Sequence, residues 1–219
     1  MCFSASASFT SGVLLLPAGI YCVRKALHLE RKYLLISSFI FIFSLQQFIE
    51  GSLWLALAAE HNTAITIFSR FFLFFSHLLW LVLAPVAAYS LEDNGKKKAI
   101  FKYFILSGLI FGISLYLPLL MNKDWLSVHI VNYSIYYETR LLYDSFISIN
   151  IVALLYAAII TLPMVLSSNR NVRIFGTIIF LSIAPAYLVY YYAFISVWCF
   201  GAAILSLYII HIISRLARL

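Results

Sequence analysis

FIFIFSLQQFIEGSLWLAL, residues 39–57, is apolar enough to lie in lipid, yet it carries Gln46, Gln47 and Glu50 at its centre. A carboxylate inside a membrane helix costs about 2.5–3.5 kcal/mol on insertion scales, so it needs a partner, water or a task. Gln46 and Glu50 are four residues apart and share one helix face, with Gln47 beside them. The rest of the chain is read as the walls around that face.

The composition around this stretch is of the same kind. Of 219 residues, 64% are apolar and 11% are charged, against about 45–50% and 25% in a soluble domain. At this length, with no linker or low-complexity segment, residues 1–219 are expected to form a single membrane domain. The net charge of +7 would point to nucleic acid in a soluble protein. Here it is explained by where the basic residues fall, and no nucleic-acid partner is expected.

Apolar spans are expected at about 9–27, 33–58 and 63–89, a fourth ending near Met121, a fifth over 141–166, a sixth reaching Tyr190 and a seventh over 194–214. Each is near or above the roughly 20 residues that cross about 30 Å of hydrocarbon. Alternate connections and the C-terminal tail hold 12 of the 15 Lys and Arg, in groups of four, four, two and two. The opposite side has Lys123 and Arg140 against Glu60, Asp124, Glu138 and Asp144. The positive-inside rule then predicts an all-α integral membrane bundle of seven transmembrane helices, N-terminus outside and C-terminus cytoplasmic. The expected location is the plasma (inner) membrane, with the lipid bilayer as the first partner. No basic region precedes the first apolar run, so that run is read as a retained span rather than a cleaved signal. The seam between spans six and seven, Tyr190-Tyr191-Tyr192, reads as an interfacial aromatic belt. The one long loop, 122–140, suits a short hairpin or an irregular cap.

Topology turns residue number into depth. At 1.5 Å per residue, Glu50 lies about 12 Å below the outer end of its span, and Arg70 about 10 Å below the outer end of the next. An ion pair between them would lower both insertion costs; an equal reading is a pair that only staples the two spans. His77 falls near the level of Gln46 and Gln47, where hydrogen bonds across helices are expected. The outer half also collects Cys2, His129 and Cys199. Cys2, Glu50, His129 and Cys199 are therefore the catalytic candidates, and Gln46, Gln47, Glu50, Arg70, His129 and Cys199 the ligand-binding ones. Spans two and seven are expected to be neighbours, with the long loop as a lid and sulfur chemistry at the mouth. That chemistry is either a Cys2–Cys199 disulfide or a reactive thiolate. Removal of Met1 would leave Cys2 with a free amine beside its thiol, able to act as its own base. The sequence lacks HExxH, GxSxG and Gly-rich phosphate-loop motifs. No metal or cofactor is assigned.

Three segments carry a resemblance: Met1-Cys-Phe-Ser-Ala at the start, Gln46-Gln47-Phe-Ile-Glu50-Gly51-Ser-Leu-Trp54, and Ser196-Val-Trp198-Cys199-Phe200-Gly-Ala-Ala-Ile-Leu-Ser206. With the Pro85 region, Tyr116-Leu-Pro118 and the His129 to Tyr136 loop, the chain resembles an uncharacterised family of small multispanning bacterial membrane proteins. That resemblance implies a membrane protein of unassigned function. Three functional readings stay open: a polar outer pocket around Glu50 that binds or moves a small or lipid-like ligand, a membrane-embedded hydrolase or thiol-dependent transferase acting on lipid, and a structural bundle without a ligand.

Overall fold

The computed structural model describes residues 4–216. The Ser4 hydroxyl accepts from the Ala7 N–H at 3.2 Å and so caps α1, Ala5–Leu29. A single 3-10 turn leads to α2, Leu34–Ala58, which packs antiparallel along α1. The two backbones come close where α1 has no side chain: a Cβ on Gly19 would lie 2.6 Å from the Phe41 nitrogen. The Ser44 hydroxyl donates to the Gly12 carbonyl at 2.8 Å across the same seam. After a turn with Glu60 at φ 52°, α3 runs Asn62–Leu73 and α4 Trp80–Ser90, joined through a π-turn at Phe74–Leu79. Then come α5, Gly95–Met121, and α6, Ile149–Val165. The chain closes with α7, Arg170–Leu181, α8, Ile183–Tyr190, α9, Phe194–Leu205, and α10, Tyr208–Leu216.

The architecture is an all-α bundle with a two-stranded insertion. Among the described residues, five helical stretches are long and apolar enough to cross a membrane: Ala5–Leu29, Arg31–Ala58, Asn62–Ser90, Gly95–Met121 and Arg170–Leu216. The last has 47 residues, far more than one crossing of about 20 residues uses, and it turns back on itself. A 3-10 turn at Tyr191–Ala193 reverses it, so that α9 lies against α7 and α8 and α10 reaches α7. The reversal is thus made by the three-tyrosine seam without a polar loop. The stretch also breaks at Ser182, where the Ser182 hydroxyl donates to the Ile179 carbonyl at 2.6 Å and Pro185 lacks the N–H a continuous helix would use.

The helix in the region expected to hold a fifth span begins later than residue 141. α6 has 17 residues, and 141–148 form a turn. The Leu141 N–H donates to Asp144 Oδ2 at 2.8 Å, and the Ser148 hydroxyl accepts from the Asn150 N–H at 3.3 Å. These side chains offer the backbone partners that compete with helix.

The bundle has two distinguishable ends. At one, three connections rich in Lys and Arg are tied together. Lys97 Nζ donates to the Leu166 carbonyl at 2.8 Å, Asn169 Nδ2 to the Tyr33 hydroxyl at 3.1 Å, and the Ser168 N–H to Glu92 Oε2 at 2.7 Å. The other end carries the long loop, which is a hairpin: β1, Leu126–Val131, pairs antiparallel with β2, Ser134–Thr139. Its two turn residues, Asn132 and Tyr133, have φ of 46° and 57°, the twist a two-residue hairpin turn requires. The hairpin is seated by Ile135 and Tyr137, both buried, and the Tyr137 ring lies flat on Phe72 at 5.0 Å and 5°. Large apolar side chains such as Leu14, Tyr103, Ile110, Leu154 and Leu188 remain exposed around the outside. So extensive an apolar exterior suits a lipid solvent better than water.

Candidate functional site

The polar face of α2 points into the protein. Gln46, Gln47 and Glu50 are all fully buried. Glu50 Oε1 accepts from the Ser196 hydroxyl of α9 at 2.6 Å, and its Oε2 from Gln47 Nε2 at 3.4 Å. The Ser196 bond is short for a hydroxyl–oxygen pair. Gln46 Oε1 accepts from the Trp80 indole N–H at 2.8 Å, and Trp80 stacks on Phe43 at 4.1 Å. α2 and α9 are therefore neighbours, joined through their most polar positions.

The π-turn of 74–79 supplies the next layer. A π-turn inserts one extra residue into a helix and shifts its carbonyls off the regular ladder, an arrangement frequent at functional sites. Here the Tyr156 hydroxyl of α6 donates to the Ser76 carbonyl at 2.5 Å, and the Ser76 hydroxyl meets His77 Nδ1 at 3.0 Å. α5 can approach this turn because it carries Gly108 and Gly112 on one face: a Cβ on Gly112 would lie 2.9 Å from the His77 carbonyl. The small-xxx-small spacing of these glycines was present in the sequence as a helix-packing signal, and it was the one that could have located this contact. The expected bonds from His77 to Gln46 or Gln47 do not form. His77 turns to its neighbour Ser76, and Trp80, three residues further along the chain, takes the Gln46 carbonyl instead.

Beneath the hairpin lies a cleft of about 410 Å³ between β2, the 141–148 turn, α6, the Tyr191–Ala193 reversal and α9. Ser196, His77 and Tyr156 all contribute to its wall. Gln46, Gln47 and Glu50 do not: they sit behind that wall, and Glu50 reaches the cleft through Ser196. At the rim the Tyr187 hydroxyl donates to Asn150 Oδ1 at 2.6 Å.

The sequence candidates separate in this geometry. Cys2 lies outside the described residues, and with it the Cys2–Cys199 bridge and the N-terminal nucleophile. Cys199 is buried beside Gln46 and Glu50. It lines a small apolar void of about 40 Å³ with Phe43, Trp80, Tyr156 and Trp198, rather than the mouth of the cleft. His129 is exposed on β1, with Ser127 Oγ 2.6 Å and Glu138 3.8 Å from its Nε2, and it is not among the cleft-lining residues. Arg70 does not pair with Glu50: among the described residues the ion pairs are Lys32–Glu30 and His129–Glu138. The carboxylate is turned toward α9, whereas Arg70 lies within electrostatic range of Tyr116 on α5, its Nε buried without a hydrogen-bond partner. Among the described residues no three His, Cys, Asp or Glu side chains gather as metal ligands.

A helical bundle with five stretches able to cross a membrane, and a buried polar layer behind an aromatic cleft, defines the class of protein. The chain belongs to the family described as "Family of unknown function (DUF6629)", which matches residues 1–218. No curated protein and no solved structure matches it.

Proposed function

We propose that this protein crosses the plasma (inner) membrane seven times, N-terminus outside, and binds a small or lipid-like amphipathic ligand in the cleft beneath the hairpin. The topology is supported by the hydrogen bonds that gather three Lys/Arg-rich connections at one end of the bundle, the end the positive-inside rule puts in the cytoplasm. The cleft then opens on the outer half. The observation that carries the ligand reading is that cleft: its volume falls in the range of about 300–1,000 Å³ common to ligand sites. Its wall is largely apolar and aromatic, with Ser196 presenting a hydroxyl oriented by Glu50.

Filling the space tests this. Ala153 lines the cleft from α6, and Ala153→Trp should abolish a bound species that native mass spectrometry detects in gently solubilised wild-type protein, while Ala153→Ser retains it. Equal occupancy in the Trp variant would defeat the reading. A second reading, a membrane-embedded hydrolase, draws on the same Ser196–Glu50 contact with His77 on the wall. In it Glu50 takes the hydroxyl proton as Ser196 attacks an acyl carbonyl, and passes it to the alcohol oxygen that departs as the ester bond breaks. Water then releases the acyl group from Ser196. Stoichiometric labelling of Ser196 by a fluorophosphonate, lost in Glu50→Gln, would favour it over simple binding.

A further inference from the structure

Seven of the cleft-lining residues are aromatic, Tyr136, Tyr137, Tyr156, Tyr187, Tyr191, Tyr192 and Phe194, and they come from the hairpin, α6, α8, the reversal and α9. Two pairs stand nearly at right angles. Tyr191 and Tyr192 have ring centroids 6.0 Å apart at 87°, and Tyr187 and Phe194 lie 5.6 Å apart at 75°. Perpendicular rings do not stack face to face, so each pair leaves ring face uncovered by its partner. Among the described residues lining the cleft, Asp144 is the one carboxylate and there is no Lys or Arg. The Glu50 carboxyl stands directly behind the Ser196 hydroxyl.

Ring faces carry the negative lobe of the aromatic quadrupole and attract a cation held within about 6 Å of the centroid, more strongly when the site excludes water. A compact ammonium such as Lys prefers carboxylate and water, because it has N–H donors to satisfy. An alkylated ammonium has none, and its methyl groups suit an apolar aromatic box. The arrangement also disfavours anions, since no Lys or Arg is among the described residues that line it. The geometry points to a quaternary ammonium group, either a lipid headgroup or a free choline-like solute, as the ligand chemistry of this cleft. The inference rests on the cleft-binding reading above and narrows it to one class.

The test uses the intact protein in nanodiscs of phosphatidylglycerol, with titration calorimetry of n-octyltrimethylammonium below its micelle concentration, of choline, and of the neutral octyl isostere in which carbon replaces nitrogen. The cation should bind about ten-fold tighter than the isostere, and Tyr191→Leu or Tyr192→Leu should remove about that factor. Tyr191→Phe, which keeps the ring, should retain it, and Asp144→Asn should weaken the cation alone. Choline binding lost on moving to phosphatidylcholine discs identifies the headgroup as the source; binding retained there identifies the free solute. Equal affinity for cation and isostere, or cation affinity indifferent to the Leu variants, overturns the inference. If that neutral binding is excluded by Ala153→Trp, the cleft reading survives without the cation. If Ala153→Trp excludes neither compound, the cleft reading fails as well.

Discussion

Ser196 donates its hydroxyl to Glu50 Oε1 across 2.6 Å, joining two helices 146 positions apart in sequence at a point where both side chains are fully buried. Gln47 Nε2 also donates to this carboxyl, but the Ser196 bond is the shorter one. A buried acceptor that loses such a donor costs roughly 1–3 kcal/mol. Ser196→Ala should therefore destabilise the bundle by about 2 kcal/mol, and Glu50→Gln by less, because an amide tolerates burial better. In a double-mutant cycle the two losses should couple by at least about 1 kcal/mol. Strict additivity in denaturant-melting of the detergent-solubilised protein would show that the contact contributes nothing.

Orientation is open to a direct check. Cysteine substitutions at Lys97 and Arg170, in the connections tied together at the basic end, should react with a membrane-impermeant maleimide only after the cells are permeabilised. A cysteine at Lys123, beside the hairpin, should react in intact cells. Labelling of Lys97 and Lys123 positions from the same side would end the seven-span topology.

What the sequence could show is depth, and what it could not show is direction around a helix axis. Glu50 and Arg70 were placed at one level by counting 1.5 Å per residue, and that count says nothing of which neighbour each faces. Glu50 turns to α9 and Arg70 toward Tyr116. The π-turn of 74–79 adds to the difficulty, because it rotates everything beyond it and brings Trp80 rather than His77 to Gln46. The all-α class and the apolar stretches were legible because composition and length alone decide them. The cleft was not, since the tyrosines of 190–192 have the composition of an interfacial belt and become a wall only when the chain reverses there.

Glu92 gives the basic end a pH dependence. Burial by itself raises this carboxyl, but the backbone N–H groups of Ser168 and Asn94, with help from the Lys97 charge, outweigh it and hold the group below its ordinary value of 4.5. A carboxyl depressed on folding contributes stability that is complete above its unfolded value and is lost as pH falls through the folded one. Wild-type melting temperature should therefore drop between about pH 5 and the folded value below 4.5 more than that of Glu92→Gln, which cannot titrate. Parallel profiles for the two proteins would show that Glu92 does not hold the loops together.

The closeness of α5 to the π-turn makes the sharpest structural prediction. Gly112 faces the His77 carbonyl so nearly that even a methyl group would sit 2.9 Å away, with Leu78 Cδ1 at 3.0 Å. Backbone cannot yield as a flexible side chain can, so Gly112→Ala should cost about 1–3 kcal/mol through displacement of α5, and Gly112→Val more. The damage should spread to the cleft, because the same turn holds His77 on its wall and fixes Tyr156 through the Ser76 carbonyl. Gly201, with nothing within 4 Å of an added Cβ, is the matched control: Gly201→Ala exchanges one helical residue for a better helix former and should be neutral or stabilising by up to about 1 kcal/mol. If thermal melts found Gly112→Ala and Gly201→Ala equally benign, α5 would not be pressed against the turn, and the link from Gly112 through Ser76 to Tyr156 would lose its support.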